Sequence, residues 1–135
     1  MSPSEWQRVV KALHNVESDY LAVDAAAELQ AKATIEDVPM LLDLLDDQSF
    51  FVREAAAWPL SDLGVVEALP MLLDAYQRGL DEGHDNDGFS AALADLVEAK
   101  PDASRLRLDF LAHEGRPGSK HVQWLLQFCK VKNDI

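Results

Sequence analysis

Four histidines, one cysteine and a dense set of carboxylates are the residues of this chain that could do chemistry. Metal-assisted hydrolysis or oxidation needs three or four ligands brought together, and an imidazole beside a carboxylate is a common seed for such a site. His113-Glu114 is one such neighbouring pair, whereas His14, His84 and His121 are not followed by glutamate. A ligand set made of repeated pairs therefore cannot be assembled within this chain. The run Asp81-Glu82-Gly83-His84-Asp85-Asn86-Asp87 concentrates oxygen donors of the kind calcium takes. A calcium loop spaces its ligands regularly and closes on a glutamate. Here Gly83 stands where the first ligand is required and no glutamate ends the run, so the segment reads as a solvated insertion and an acidic lip for a basic partner. Gly-rich phosphate loops, Gly-x-Ser-x-Gly elbows and metal-spaced cysteines are missing. No catalytic residue, metal or cofactor is expected, and the chain reads as a binding protein rather than an enzyme.

Charge narrows the partner. The formal net charge is −12. Residues 33–99 hold fifteen acidic side chains against two basic ones, Arg53 and Arg78, while residues 100–135 hold seven basic against four acidic. The central segment would repel a phosphate backbone, which disfavours nucleic acid. It would attract a basic protein surface and accelerate the encounter. With 48% apolar and 27% charged residues the composition is that of a folded domain, and 135 residues can bury a core without disulfides. Cys129, the single cysteine, excludes an intramolecular disulfide, fits a reducing cytoplasmic setting, and lies on an apolar stripe where burial is expected. Residues 1–6 lack a basic region followed by an apolar run, so no secretory signal is expected. No apolar stretch approaches the roughly 20 residues that cross a bilayer.

The elements that must position these residues repeat. Val38-Pro39-Met40-Leu41-Leu42-Asp43 returns 31 residues later as Leu69-Pro70-Met71-Leu72-Leu73-Asp74. Val38, Leu41, Leu42 and Leu45 follow helical spacing, and Leu69, Leu72, Leu73 and Tyr76 keep the same register. Pro39 and Pro70 fall near helix starts, where a missing N–H costs least, and Thr34 with Asp37 forms a capping signal. A second helix follows the first copy, with Ser49 as cap, Val52, Ala55, Ala56, Leu60 and Leu63 as its stripe, and Gly64 as a left-handed stop. Leu21, Ala25 and Leu29 align 31 residues upstream of it, and Ala91, Ala92 and Leu96 align 36 residues downstream. The five extra residues fall in a loop over 78–88. An opening helix with Trp6, Val9, Val10 and Leu13 starts at a Ser2–Glu5 capping box. A helix around Leu106–Ala112 and a final one capped by Ser119, with Val122, Leu125, Leu126 and Cys129, complete eight helices in four pairs.

Residues 37–64 resemble a HEAT repeat of the short bacterial type, the repeat also found in phycobilin lyases. The resemblance rests on Pro39, Leu41-Leu42, Asp46-Asp47, Val52-Arg53, Ala55-Ala56, Leu60, Leu63 and Gly64. Residues 65–100 follow less closely and the flanking pairs follow by pattern. Trp58 and Pro59 depart from the pattern, and Pro59 predicts a kink. The resemblance implies an all-α fold, a short right-handed solenoid of about four HEAT-like hairpins (units 3–33, 34–64, 65–100 and 101–135) forming one domain.

It also implies that the second helix of each pair lines a concave binding face. Arg53, Glu54, Trp58 and Asp62 lie off the core stripe of that helix, and Ser90, Ala94 and Glu98 are their counterparts in the third pair. An exposed tryptophan is a preferred interface anchor. In the family, an arginine like Arg53 ties the inter-repeat turn to a carboxylate such as Asp46 or Asp47. Trp124 and Phe128, at i and i+4, read as packing at the terminal pair. The protein-binding candidates are therefore Trp58, Glu54, Asp62, Arg53 and Glu98, with Asp81, Glu82, Asp85 and Asp87 on the lip. The expected function is to bind a basic protein partner, as some small acidic HEAT-like immunity proteins neutralise toxic effectors. The alternatives are a cofactor-handling factor like the bilin lyases, a hydroxylase like the di-iron members, and an accessory subunit of a larger scaffold. The first two sit poorly with four hairpins and one His-Glu pair.

Overall fold

A computed structural model describes residues 1–15 and 17–129. Residues 130–135 of the fourth expected unit, with Lys130 and Lys132 of the basic end, lie outside the described residues. The described residues form eight α-helices with short 3-10 turns and no strand, in the expected all-α class. They fall into two compact units, 1–63 and 64–135.

The first unit holds α1 (Pro3–Leu13), α2 (Asp19–Lys32), α3 (Val38–Leu44) and α4 (Phe50–Asp62). The capping box at its start is formed: Glu5 N–H donates to Ser2 Oγ at 3.2 Å, and Ser2 N–H to Glu5 Oε1 at 3.3 Å. Ser18 and Ser49 cap α2 and α4 through Leu21 N–H and Val52 N–H. Asp37 Oδ2 accepts Thr34 N–H at 2.8 Å, which fixes the entry into α3. α1 packs on α2, and α4 packs on both α2 and α3. Val9, Leu13, Leu29, Leu41, Val52 and Leu60 are buried, and the small residues Ala22, Ala25, Ala55 and Ala56 let helices approach closely. The helix α4 continues beyond Pro59, with Leu63 N–H donating to Pro59 O at 2.9 Å. Leu21 differs from its aligned counterpart Val52: it is 51% exposed, and Ala22 takes the buried place.

The second unit holds α5 (Leu69–Asp81), α6 (Asp87–Ala99), α7 (Pro101–Leu111) and α8 (Val122–Leu126). Gly64, at its start, has φ +70°, the left-handed conformation expected of a helix stop. α5 has 13 residues where its repeat counterpart α3 has 7, so the five-residue insertion is absorbed mainly by helix. α7 begins at Pro101, earlier than apolar spacing alone indicates, because proline suits the first helical position. Ser119 does not cap α8; its hydroxyl donates to Leu111 O at 2.6 Å and accepts Arg116 N–H at 3.1 Å. Leu69, Leu72, Leu73, Phe89, Leu93, Leu96, Leu108 and Leu125 form the core. Asp74 docks the loop before α8, accepting Arg116 Nη2 at 2.6 Å, Arg116 Nε at 3.1 Å and Gly118 N–H at 3.0 Å. At its far end Trp124 stacks on Tyr76 with centroids 5.7 Å apart, and Phe128 meets Trp124 edge-on at 5.6 Å. The pair packs at the terminal helix, as its spacing indicates.

Candidate protein-binding surface

The serine cap at position 49 and the repeated alanines orient α4, and with it four of the residues singled out above. Arg53 is fully buried, which corrects its placement on an outward face. Its Nη1 donates to Asp47 O at 2.9 Å and Gln48 O at 3.1 Å, and the guanidinium lies 5.7 Å from the Phe50 ring centroid. It thus closes the turn between α3 and α4 through backbone carbonyls, a structural task. Trp58 and Glu54 are half-buried, so each offers part of its side chain. Asp62 is exposed and accepts Gln30 Nε2 at 2.9 Å.

In the second unit Glu98, Asp81, Glu82, Asp85 and Asp87 are all exposed. Asp81 ends α5 and accepts Gln77 Nε2 at 2.6 Å. Glu82 pairs with Arg78 at 3.3 Å and faces His84 at 3.5 Å. Asp85 Oδ1 accepts Asp87 N–H at 3.0 Å, which starts α6. Four carboxylates thus crowd the junction of α5 and α6.

Burial sharpens the charge imbalance. Of the fifteen acidic residues in 33–99, eleven are exposed: 36, 43, 46, 62, 67, 81, 82, 85, 87, 95 and 98. Of the two basic ones, Arg53 is buried and Arg78 is half-buried. The imbalance is therefore carried by exposed side chains. Among the described residues no three His, Cys, Asp or Glu side chains converge as metal ligands would. No helix of the described residues is long and apolar enough to cross a membrane.

Spacing missed two apolar surfaces. On the first unit a groove of about 620 Å³ is lined by Leu13, His14, Ala22, Val23, Ser49 and Phe51, among others. Tyr20 and Val23 of α2 are 85% and 57% exposed. The signal was present, since Tyr20, Leu21 and Val23 cannot all face inward on one helix. On the second unit Leu106 and Phe110 are 69% and 73% exposed.

A family model described as HEAT repeats matches residues 7–83, more than half of the chain. The chain belongs to the HEAT-repeat family. No curated protein and no solved structure matches it. HEAT repeats generally mediate protein–protein interaction, and HEAT-repeat proteins are typically non-enzymatic scaffolds. The matched span runs from α1 through α5 and includes the repeated leucine motif, Arg53 and Gly64. In this HEAT chain α6 to α8 lie beyond the match.

Proposed function

We propose that this HEAT-repeat chain is a non-enzymatic interaction module whose partner is a basic protein. The observation that carries the reading is the ratio of exposed charge in residues 33–99, eleven exposed carboxylates with one arginine buried and the other half-buried. Such a surface steers a cationic partner at long range and disfavours acidic ones through like-charge contact. The carboxylates at 81, 82, 85 and 87 are its densest group, within the second unit, and Trp58 and Glu54 of α4 are candidate contacts of the first unit taken by itself.

The finer form of the proposal is an inhibitor or immunity protein that covers the cationic working surface of an effector. A basic nuclease is the apt target, because arrayed carboxylates mimic the charge of its polyanionic substrate. This form rests on charge together with the fold family.

The test is affinity purification from the native cell at low and high salt, with the wild type beside a variant carrying Asp81→Asn, Glu82→Gln, Asp85→Asn and Asp87→Asn. One basic protein retained at low salt, released at high salt and lost from the variant supports the proposal. A partner that is acidic, or that the variant holds as tightly, sinks it.

A further inference from the structure

The helix α7 turns two different faces to its surroundings. Ser104, Leu108 and Leu111 are buried in the core of the second unit. The opposite side carries Leu106 and Phe110, 69% and 73% exposed, with exposed Ala103 one turn earlier. In heptad terms Ala103 and Phe110 occupy position a and Leu106 position d, while the buried residues occupy b and f. The flanks are charged with opposite sign: Asp102 and Asp109 at g, Arg107 at e, all exposed.

We propose that this seam packs against the same seam of a second copy of this chain, with the two α7 helices running parallel. The flanking charges select both occupant and direction. In a parallel pair each g residue meets the e residue five positions on in its partner. Asp102 of each copy then meets Arg107 of the other, twice by symmetry. The next e position, residue 114, lies beyond the end of α7, so Asp109 meets no carboxylate there. An antiparallel pair would set g against g and e against e, placing aspartates together and arginines together. A strongly basic partner would gain on the aspartate flank and lose on the Arg107 flank, whereas a parallel second copy satisfies both. Ser104, Leu108 and Leu111, on the core side of α7, face away from the seam. A hollow of about 230 Å³ adjoins the seam, lined by Val66, Ala103, Leu106 and Phe110 with the charged Glu67 and Arg107 beside them. Three helical turns make a small interface, so the dimer is weak.

Sedimentation velocity of the full chain from about 1 to about 500 µM reads this directly, spanning the weak range of affinities. The wild type dimerises with concentration, less so at high salt, and Phe110→Glu weakens association by about tenfold or more at an unchanged circular dichroism melt, because that ring is mostly exposed in the monomer. Asp102→Arg and Arg107→Asp each weaken self-association, but mixing the two variants restores it, since both g–e contacts are then attractive. Ala103→Cys adds a readout of direction, because a parallel pair brings the two residues 103 together and they cross-link on mild oxidation. A wild type that stays monomeric throughout, a dimer indifferent to Phe110→Glu, or mixed charge variants that fail to associate would each overturn the proposal.

Discussion

His14 Nε2 lies 2.8 Å from Asp47 Oδ1, which ties the end of α1 to the turn between α3 and α4. Its other nitrogen, Nδ1, lies 2.8 Å from the Val10 carbonyl. A ring donating from both nitrogens is the imidazolium, so the fold raises the pKa of His14, through the Val10 carbonyl first and then Asp47. On Asp47 burial works against the charge, but the Ser49 N–H and His14 outweigh it and hold the carboxyl below its ordinary value. The histidine contributes fully below its ordinary value of 6.5, and the contribution fades as pH rises through the raised folded value. The carboxylate contributes fully above its ordinary value of 3.8, and the contribution fades as pH falls through the lowered folded value. The tie is therefore at full strength between those two values. Because both groups are partly solvated, its worth is a few tenths to about 1 kcal/mol. Urea midpoints should fall between about pH 6 and about pH 9 in the wild type, and the fall should be smaller in His14→Ala. Identical pH dependence in both proteins would show that the tie does not carry it.

Arg53 gives a larger effect of a different kind. Removing a buried guanidinium that two backbone carbonyls accept from leaves those carbonyls unsatisfied. Arg53→Ala should cost about 2–4 kcal/mol of unfolding free energy. Chemical denaturation followed by circular dichroism measures it. A residue that acted only at a binding surface would leave the unfolding curve unmoved.

Gly118 tests close approach in the second unit. A Cβ there would stand 2.5 Å from the Leu73 carbonyl carbon and 2.6 Å from Leu73 Cβ. Backbone cannot swing aside as the tip of a long side chain can, so Gly118→Ala should cost about 1–3 kcal/mol. At this chain length that corresponds to a melting temperature lower by roughly 3–10 °C. A thermal melt of the variant decides it, and an unchanged midpoint would mean that the loop before α8 shifts freely.

Cys129 is 1% exposed, and burial pushes its thiol pKa up, with nearby Arg105 opposing. Burial outweighs Arg105, and the low exposure and the raised pKa together suppress the reactive thiolate. Labelling with a thiol reagent at neutral pH should therefore run on the order of a hundredfold slower in the native protein than in denaturant. Similar rates in the two conditions would place the sulfur at the surface.

The helical hairpins and their caps were readable because they depend on local patterns. A serine before an apolar stripe, a proline at the first turn and a glycine after the last leucine act within a few residues, and Ser2, Ser49, Pro70 and Gly64 do what their positions indicate. The surface was harder to read. Arg53 lies off the core stripe of its helix, and the family resemblance assigns it to the inter-repeat turn; there, two carbonyls six and five residues earlier supply what water would have supplied. Ser119 was read as a local cap, whereas its hydroxyl reaches back to Leu111. Tyr20, Leu106 and Phe110 were passed over because apolar residues are counted toward a core by default, and only the burial of their neighbours shows which way they point.

Asp43 and Asp74 occupy the same place in the duplicated leucine motif. Asp43 is solvent-exposed, while Asp74 is the anchor that three donors of the 116–118 loop converge on. Duplication thus hands every copy of the motif a ready-made docking post, and only the visiting loop has to evolve an arginine and a close-fitting glycine to use it. A chain built this way can gain or shed a terminal helix pair without inventing a new point of attachment. Growth by copying and closure by docking draw on one carboxylate.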